Sequence, residues 1–302
     1  MKKWFFSGLL LAFTAVFGWT QTAADSLAAD HPENSLLWEI SGKDLSTPSY
    51  LYGTIHMIDK DDFFLTASAK EAFKTAQRIT FEINLEEMNS LGAQFSLLMK
   101  AFMDGGVTLK SLLSPEDYKL VDAHFQEMGL PLFLFERVKP MFLTVLAGDM
   151  SPEDYQAGEV VSYEMEFAKM AEGQDKEMAG LETIEFQMSM FDSIPYSVQA
   201  EMLVETIKAD DSGDDQVDQM VEMYKRQDLQ GLAKMISSED SGFAEYEELL
   251  LVNRNKNWIP LMGAMMLEKP TFFAVGAGHL PGEYGVIELL RREGYTLRPL
   301  KS

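Results

Sequence analysis

Residues 269–300 read KPTFFAVGAGHLPGEYGVIELLRREGYTLRPL. The apolar run that ends at Val275 predicts a buried strand, and the glycine-rich stretch after it predicts a turn. An amphipathic helix is expected over about 283–293, ended by Gly294, with a last strand over 295–300. The order strand, helix, strand is typical of α/β proteins, in which helices cover a parallel sheet.

The same order appears near the other end of the chain. The runs LLWEIS at 36–41 and SYLYG at 49–53 predict two strands joined by a turn. SAKEAFKTAQ at 68–77 has helical spacing, and RITFEINL at 78–85 alternates as a strand. We therefore predict an α/β fold with a mixed, largely parallel central sheet built from both ends of the chain.

The middle of the chain, about 86–265, is mostly helical in pattern, although KEMAGLET at 176–183 reads as one strand. A helix is expected after Ser114, a break at the acidic stretch ADDSGDD of 209–215, and one further helix after it. We interpret this region as a large helical insertion that forms a cap. The remaining segments, about 36–85 and 266–302, would form the sheet core of a single domain spanning 25–302.

The composition and the N-terminal residues limit the partners and the cellular location that we expect. The chain has 302 residues, 46% of them hydrophobic, no cysteine, and a formal net charge of −23. Such an acidic surface repels phosphate backbones, so no nucleic-acid partner is expected.

Residues 1–24 resemble a cleavable signal peptide, with Lys2 and Lys3 before an apolar run and small residues before Asp25. We expect a periplasmic or secreted protein without stable membrane association after cleavage; an uncleaved anchor is the alternative.

Two predicted turns, which we call corners, share one sequence pattern. Gly53 precedes His56 by three residues in GTIH, and Gly276 precedes His279 by three in GAGH, each directly after a predicted strand. The chain contains only 4 histidines. Residues beyond the carboxyl ends of parallel strands line the crevice where ligands bind, so both histidines are expected there.

Glu82 lies on the polar face of the strand RITFEINL and could point to the same crevice. Two imidazoles and one carboxylate suit Zn²⁺, Mn²⁺, Co²⁺ or Fe²⁺, with positions left for water and substrate. A metal ion would lower the pKa of its bound water, Glu182 could take the proton, and an arginine could hold developing negative charge. The alternative is that both histidines are turn residues hydrogen-bonded to the backbone.

A second polar patch lies in ELLLVNRNKNWIPLMGAMM, where helical spacing places Arg254 and Trp258 on one face. The alternative to a role in the site is a surface arginine packed on tryptophan. Competing catalytic motifs are missing: the sequence has no HExxH, no GxSxG, no Walker loop and no cysteine nucleophile.

Taken together, these motifs resemble the TraB/GumN family. The resemblance runs in order from about 36 to 300 and rests on GTIH, FEINL, KP, GLET, RN with a following tryptophan, and VGAGHLPGEYGVIELLRREGY. That family is similar to the TIKI proteins, membrane-tethered metalloproteases that use Mn²⁺ or Co²⁺. It also shares a wider fold with erythromycin esterase and haem-binding ChaN proteins, an α/β core with a helical cap.

The resemblance implies Mn²⁺ or Co²⁺ rather than Zn²⁺ as the cofactor, and a peptide or protein as the substrate. It implies that His56, Glu82 and His279 act at the metal, and that Glu182, Arg254 and Asn255 serve catalysis. The predicted function is thus an exported metal-dependent hydrolase, a peptidase. The alternative is a non-catalytic envelope binding protein for a peptide, a glycan or haem.

Overall fold

The computed structural model describes residues 34–85, 91–147, 158–212, 216–236 and 244–301. The predicted signal peptide lies outside these residues. Among the helices they form, none is both long enough and apolar enough to span a bilayer.

A six-stranded sheet confirms the predicted α/β fold. The strands of the described residues are β1 (Leu37–Ser41), β2 (Ser49–Thr54), β3 (Ile58–Asp59), β4 (Arg78–Ile83), β5 (Val160–Val161), β6 (Glu177–Glu182), β7 (Thr271–Gly276) and β8 (Thr296–Pro299). The order across the sheet is β6-β4-β7-β2-β1-β8. The first four strands are parallel to one another, whereas β1 pairs antiparallel with both β2 and β8. β3 and β5 form a separate antiparallel pair.

Both ends of the chain build this sheet, as predicted, and the middle of the chain adds only the edge strand β6. The parallel strands β2, β4 and β7 are buried along almost their whole length. Burial on both faces is typical of parallel strands covered by helices. It explains why the alternation in RITFEINL does not correspond to a solvent-exposed face: the polar residues Thr80 and Glu82 are buried too.

Twelve α-helices occur in the described residues. They are α1 (Ala67–Thr75), α2 (Leu91–Lys100), α3 (Leu109–Leu112), α4 (Pro115–Glu127), α5 (Pro140–Ala147), α6 (Tyr163–Glu172), α7 (Ile184–Phe191), α8 (Tyr196–Ser212), α9 (Gln216–Lys225), α10 (Leu229–Ile236), α11 (Asn253–Glu268) and α12 (Val286–Arg292). Ser114 caps α4 as predicted, because its hydroxyl accepts a hydrogen bond from the Asp117 amide. A π-helical turn, Glu248–Val252, leads directly into α11.

Two details of the helical prediction are wrong. The acidic stretch of 209–215 does not break the helix where it begins, since α8 continues to Ser212. The helix expected after it is two helices, α9 and α10. Gln227 adopts φ 57° between them, and the Asp228 carboxylate then caps α10 by accepting from the Gly231 amide. Local capping therefore overrides the continuous apolar spacing.

The described residues form two compact units. One is helical and contains α2–α5, α7 and α8; the other contains the sheet together with α1, α6 and α10–α12. Each has a buried apolar cluster of its own. The sheet unit thus includes segments of the middle of the chain that were assigned to the insertion. That the helical unit caps the sheet stays a prediction.

The glycines of the two corners serve close packing and not a sharp turn, because neither has a positive φ. A Cβ added to Gly53 would lie 3.0 Å from Leu280 Cδ2 and 3.1 Å from the Cα of Ala277. One added to Gly276 would lie 3.3 Å from Glu82 Oε1. The corner after β2 therefore packs directly on the corner after β7, and a side chain at Gly53 would separate them, whereas one at Gly276 would crowd Glu82.

We expect Gly53→Ala to destabilise the protein by about 1–3 kcal/mol, because the added methyl group meets backbone that cannot move away freely. Urea unfolding monitored by circular dichroism measures the change. Gly92→Ala is the matched control: its Cβ would meet nothing within 4 Å, and alanine favours the helix α2. Equal stability of both variants would contradict this account of the corners.

Candidate active site

Four neighbouring strands bring the predicted residues to one edge of the sheet. Glu182 is the last residue of β6 and Glu82 is the penultimate residue of β4, while His279 and His56 follow the ends of β7 and β2. Because these strands are parallel and adjacent, their carboxyl ends lie along the same edge. Helix α11 adds Arg254 and Asn255 to this group.

Arg254 is the centre of the polar network, and all five of its N–H groups have acceptors. Nε donates to both Glu182 oxygens at 3.1 Å, and Nη2 donates to Glu82 Oε2 at 2.5 Å and Glu182 Oε2 at 3.0 Å. Nη1 donates to the carbonyl of Leu250, in the π-helical turn, and to His279 Nε2, at 3.0 and 3.1 Å. The guanidinium is buried, and the two carboxylates raise its already high pKa against the cost of burial.

Arg254 and Asn255 together determine the tautomer of His279. An arginine can only donate, so His279 Nε2 must be an acceptor. The proton is then on Nδ1, which donates to Asn255 Oδ1 at 2.6 Å. The Asn255 amide group in turn donates to the carbonyls of Tyr284 at 2.9 Å and His279 at 3.4 Å. Burial, reinforced by the Arg254 charge, lowers the pKa of His279 to about 3, so the imidazole is neutral near pH 7.

Glu82 is buried and ionised. Its Oε1 accepts from the Gly276 amide at 2.9 Å and lies 3.7 Å from His279 Nε2. Burial alone would raise the pKa of this carboxyl group, but the Arg254 charge and the hydrogen bond from Gly276 hold it well below its ordinary value. Because Gly276 has no side chain, its amide can lie this close to the carboxylate.

Glu182 anchors Arg254. Besides the arginine, its Oε1 accepts from the Trp258 indole at 2.8 Å. Trp258 also packs on the His279 ring, with centroids 4.4 Å apart, and under the Arg254 guanidinium at 5.0 Å. This tryptophan is therefore a buried part of the site and not a surface partner of the arginine. So many donors favour an anchoring role for Glu182; its predicted role as proton acceptor stays a prediction.

His56 has a partner that sequence reasoning missed. Its Nδ1 lies 3.1 Å from Oε1 of Glu164, a buried residue in the first turn of α6. Burial opposes the charged imidazolium, but the Glu164 carboxylate outweighs it and raises the pKa of His56. The charges of Glu82 and Arg254 also act on this pKa, so His56 lies within electrostatic reach of the Arg254 network. Glu164 lies in an ordinary helix-start pattern, SYEME, and no sequence signal sets it apart.

The nitrogen and oxygen atoms at this site are of the types that bind a divalent cation. His279 Nε2 and Glu82 Oε1 are 3.7 Å apart, close to the ~3 Å between neighbouring ligands of one ion with bonds of ~2.1 Å. Glu82 and Glu182 outweigh Arg254 by one negative charge, which also favours a cation. Against this, Arg254 Nη1 occupies the Nε2 lone pair of His279. Within the described ranges, no three His, Asp or Glu side chains form a ready-made metal cluster.

The structure defines an α/β protein with a buried cluster of charged and polar side chains at the carboxyl ends of its parallel strands. The chain belongs to the TraB/PrgY/gumN family, whose model matches residues 36–299. Its curated relatives include Metalloprotease TIKI1 of Danio rerio, 26% identical over 87% of this chain and 63% of that protein. Metalloprotease TIKI1 of Homo sapiens is 24% identical over 87% of this chain and 61% of its own length. The Metalloprotease TIKI homolog of Nematostella vectensis is 20% identical over 89% of this chain and 67% of its own length.

The chain spans 60–63% of the length of the TIKI1 and TIKI2 relatives from Danio rerio and of human TIKI1, so the protease activity in their names is that of longer proteins. No solved structure matches the chain significantly.

We expect acid to destabilise the protein partly through Glu82. A carboxyl group whose pKa is depressed by folding contributes stability above its unfolded pKa, near 4.5, and this contribution is lost as the pH falls below that value. Glu82→Gln should therefore flatten the fall of the unfolding free energy below that pH. Urea titrations at a series of acidic pH values measure the slope, and an unchanged slope would contradict the ion pair.

We expect Arg254→Met to cost about 3–5 kcal/mol of unfolding free energy, because it leaves two buried carboxylates without their counter-charge. Arg298→Met is a matched control, since that arginine pairs with Glu39 at the surface and such pairs contribute about 0–1 kcal/mol. Urea unfolding near neutral pH compares the two variants. Similar losses would show that the buried network does not depend on Arg254.

Proposed function

We propose that this protein is an exported metal-dependent hydrolase that cleaves peptides, with His56, Glu82 and His279 as metal ligands. One observation carries the proposal: a neutral His279 ring and an ionised carboxylate, Glu82, lie side by side, with Nε2 and Oε1 3.7 Å apart. Neutral imidazole and carboxylate are the protonation states that bind a metal. The names of the curated relatives support a metalloprotease and, through the family resemblance, Mn²⁺ or Co²⁺.

A bound divalent cation would supply Lewis acidity and a water molecule of lowered pKa. The residues of the chain prepare for this chemistry. Asn255 holds the His279 ring by its Nδ1 proton, and the Gly276 amide holds Glu82 from the other side. Arg254 brings a permanent positive charge beside both residues, the kind of group that stabilises negative charge developing on a peptide carbonyl oxygen. Glu182 and Trp258 keep that guanidinium in position.

Export belongs to the same proposal. The features of residues 1–24 support a signal peptide and thus a periplasmic or secreted protein, and the acidic composition argues against nucleic-acid binding. The substrate class, a peptide or protein, rests on the relatives alone.

The second candidate is a non-catalytic binding protein for a peptide, a glycan or haem. One observation favours it: Arg254 closes the network by donating to His279 Nε2, so the buried charges are paired without a metal. A stable site of this kind requires no ion. Metal binding discriminates between the two candidates, because only the hydrolase requires it.

We expect the purified protein to retain Mn²⁺ or Co²⁺ in stoichiometric amount, and His56→Ala or His279→Ala to lose most of it. His124→Gln is the matched control, because that histidine belongs to α4 of the helical unit. Elemental analysis after dialysis measures the metal. Wild-type protein that binds none of Mn²⁺, Co²⁺ or Zn²⁺ would overturn the hydrolase and leave the binding protein.

We further expect cleavage of a peptide library in the presence of Mn²⁺ or Co²⁺, abolished by a chelator and restored by adding the metal back. Mass spectrometry of the products measures it. Glu82→Gln should lower turnover by at least a hundredfold, since it removes the charged ligand. Cleavage that survives the chelator and this substitution would exclude the proposed site.

A further inference from the structure

We infer that Glu164 is a positioning residue that holds the His56 ring through Nδ1 and thereby turns its Nε2 lone pair outward as a ligand. The role as ligand rests on the proposed function, whereas the role of Glu164 in fixing the ring does not.

The contacts of Glu164 allow only one direction of hydrogen bonding. The Thr54 hydroxyl donates to Oε1 at 2.6 Å, and the Ser162 hydroxyl donates to Oε2 at 3.2 Å. His56 Nδ1 lies 3.1 Å from the same Oε1. An ionised carboxylate has no proton to give, so Nδ1 of His56 must carry the proton. The neutral ring is then the Nδ1–H tautomer, and its Nε2 is left with a lone pair.

The fold makes this contact rigid. Thr54 is the last residue of β2, two residues before His56, and Glu164 is in the first turn of α6 with only 3% of its surface exposed. Negative charge in the first turn of a helix is favoured by the helix dipole. One carboxylate thus ties the end of a strand, the corner after it and the start of a helix together. Such a group leaves the imidazole little freedom to rotate.

The two histidines of the corners now have equivalent support. Asn255 accepts from Nδ1 of His279, and Glu164 accepts from Nδ1 of His56. Partners of this kind fix the tautomer of metal-binding histidines, and their loss typically weakens metal binding 10- to 100-fold. The two supports differ in charge: Glu164 is an anion and makes the ring it contacts more basic, whereas Asn255 is neutral.

The test uses the full-length protein without metal. Long-range proton–nitrogen correlation spectra distinguish the two tautomers of a neutral histidine, and the His56→Gln variant assigns the His56 signals. Spectra recorded on the alkaline side of the His56 titration should show the Nδ1–H tautomer in the wild type. In Glu164→Ala, which offers no acceptor, the ring should shift toward the Nε2–H tautomer. Retention of the Nδ1–H tautomer in this variant would overturn the inference.

Two further variants make the result specific. Glu166→Ala removes the same charge from the same helical turn, but Glu166 pairs with Lys169 and not with His56, so the His56 tautomer should not change. Glu164→Gln keeps an acceptor oxygen without the charge and serves if the alanine variant does not fold. It should retain the Nδ1–H tautomer. Loss of that tautomer in Glu164→Gln would contradict a role for the acceptor oxygen at this position.

Metal titration completes the test. Co²⁺ binding, followed by its visible absorption, should weaken about 10- to 100-fold in Glu164→Ala and remain unchanged in Glu166→Ala. Equal Co²⁺ affinity of the wild type and Glu164→Ala would show that Glu164 does not prepare His56 as a metal ligand. If the wild type binds no Co²⁺ at all, the proposed function fails, and the tautomer spectra alone decide whether Glu164 positions His56.

Discussion

The buried charges of Arg254, Glu82 and Glu182 are the constraint on which the rest of the site depends. Two carboxylates and one guanidinium lie out of water at the edge of the sheet, and each is costly there unless it is paired. Every N–H of the arginine is therefore directed to an acceptor. A buried ion pair of this kind is weak grounds for stability, because apolar residues of the same volume often stabilise a protein more.

The parallel sheet brings these charges together. Adjacent parallel strands end side by side, so residues far apart in the chain meet without a long loop to carry them. Helix α11 crosses this edge and contributes Arg254, Asn255 and Trp258 from a little more than one turn. The π-helical turn before α11 offers the Leu250 carbonyl to the same guanidinium. Such turns are frequent at functional sites, and here one satisfies the fifth donor of the arginine.

The two histidines differ although their sequence motifs are alike. His279 is held neutral by burial and by Arg254, whereas His56 is made more basic by Glu164. His279 is neutral over the whole physiological pH range and accepts a hydrogen bond at Nε2, whereas His56 is closer to its charged form. This asymmetry comes from the charge of the neighbour, because both rings are held through Nδ1 in the same way.

Much of the fold could be predicted from the sequence. Apolar runs bounded by glycine or proline mark β2, β7 and β8, alternation marks β4, and Ser114 with Pro115 marks the start of α4. These are local signals, set by propensity and capping within a few residues. The break between α9 and α10 escaped because a side-chain cap at Asp228 competes with a continuous apolar pattern. The sheet order and the division into two units depend on contacts between distant segments.

The sequence by itself determined which residues stand at strand ends: His56, Glu82, Glu182 and His279 follow from short motifs and from the geometry of parallel strands. Only the tertiary structure decided what each of them contacts. It paired Glu164 with His56 across 108 positions of the chain and placed Arg254 between two glutamates. The reason is physical: hydrogen bonds and ion pairs act over a few ångströms, and no spacing along the chain reports which distant side chains folding brings that close.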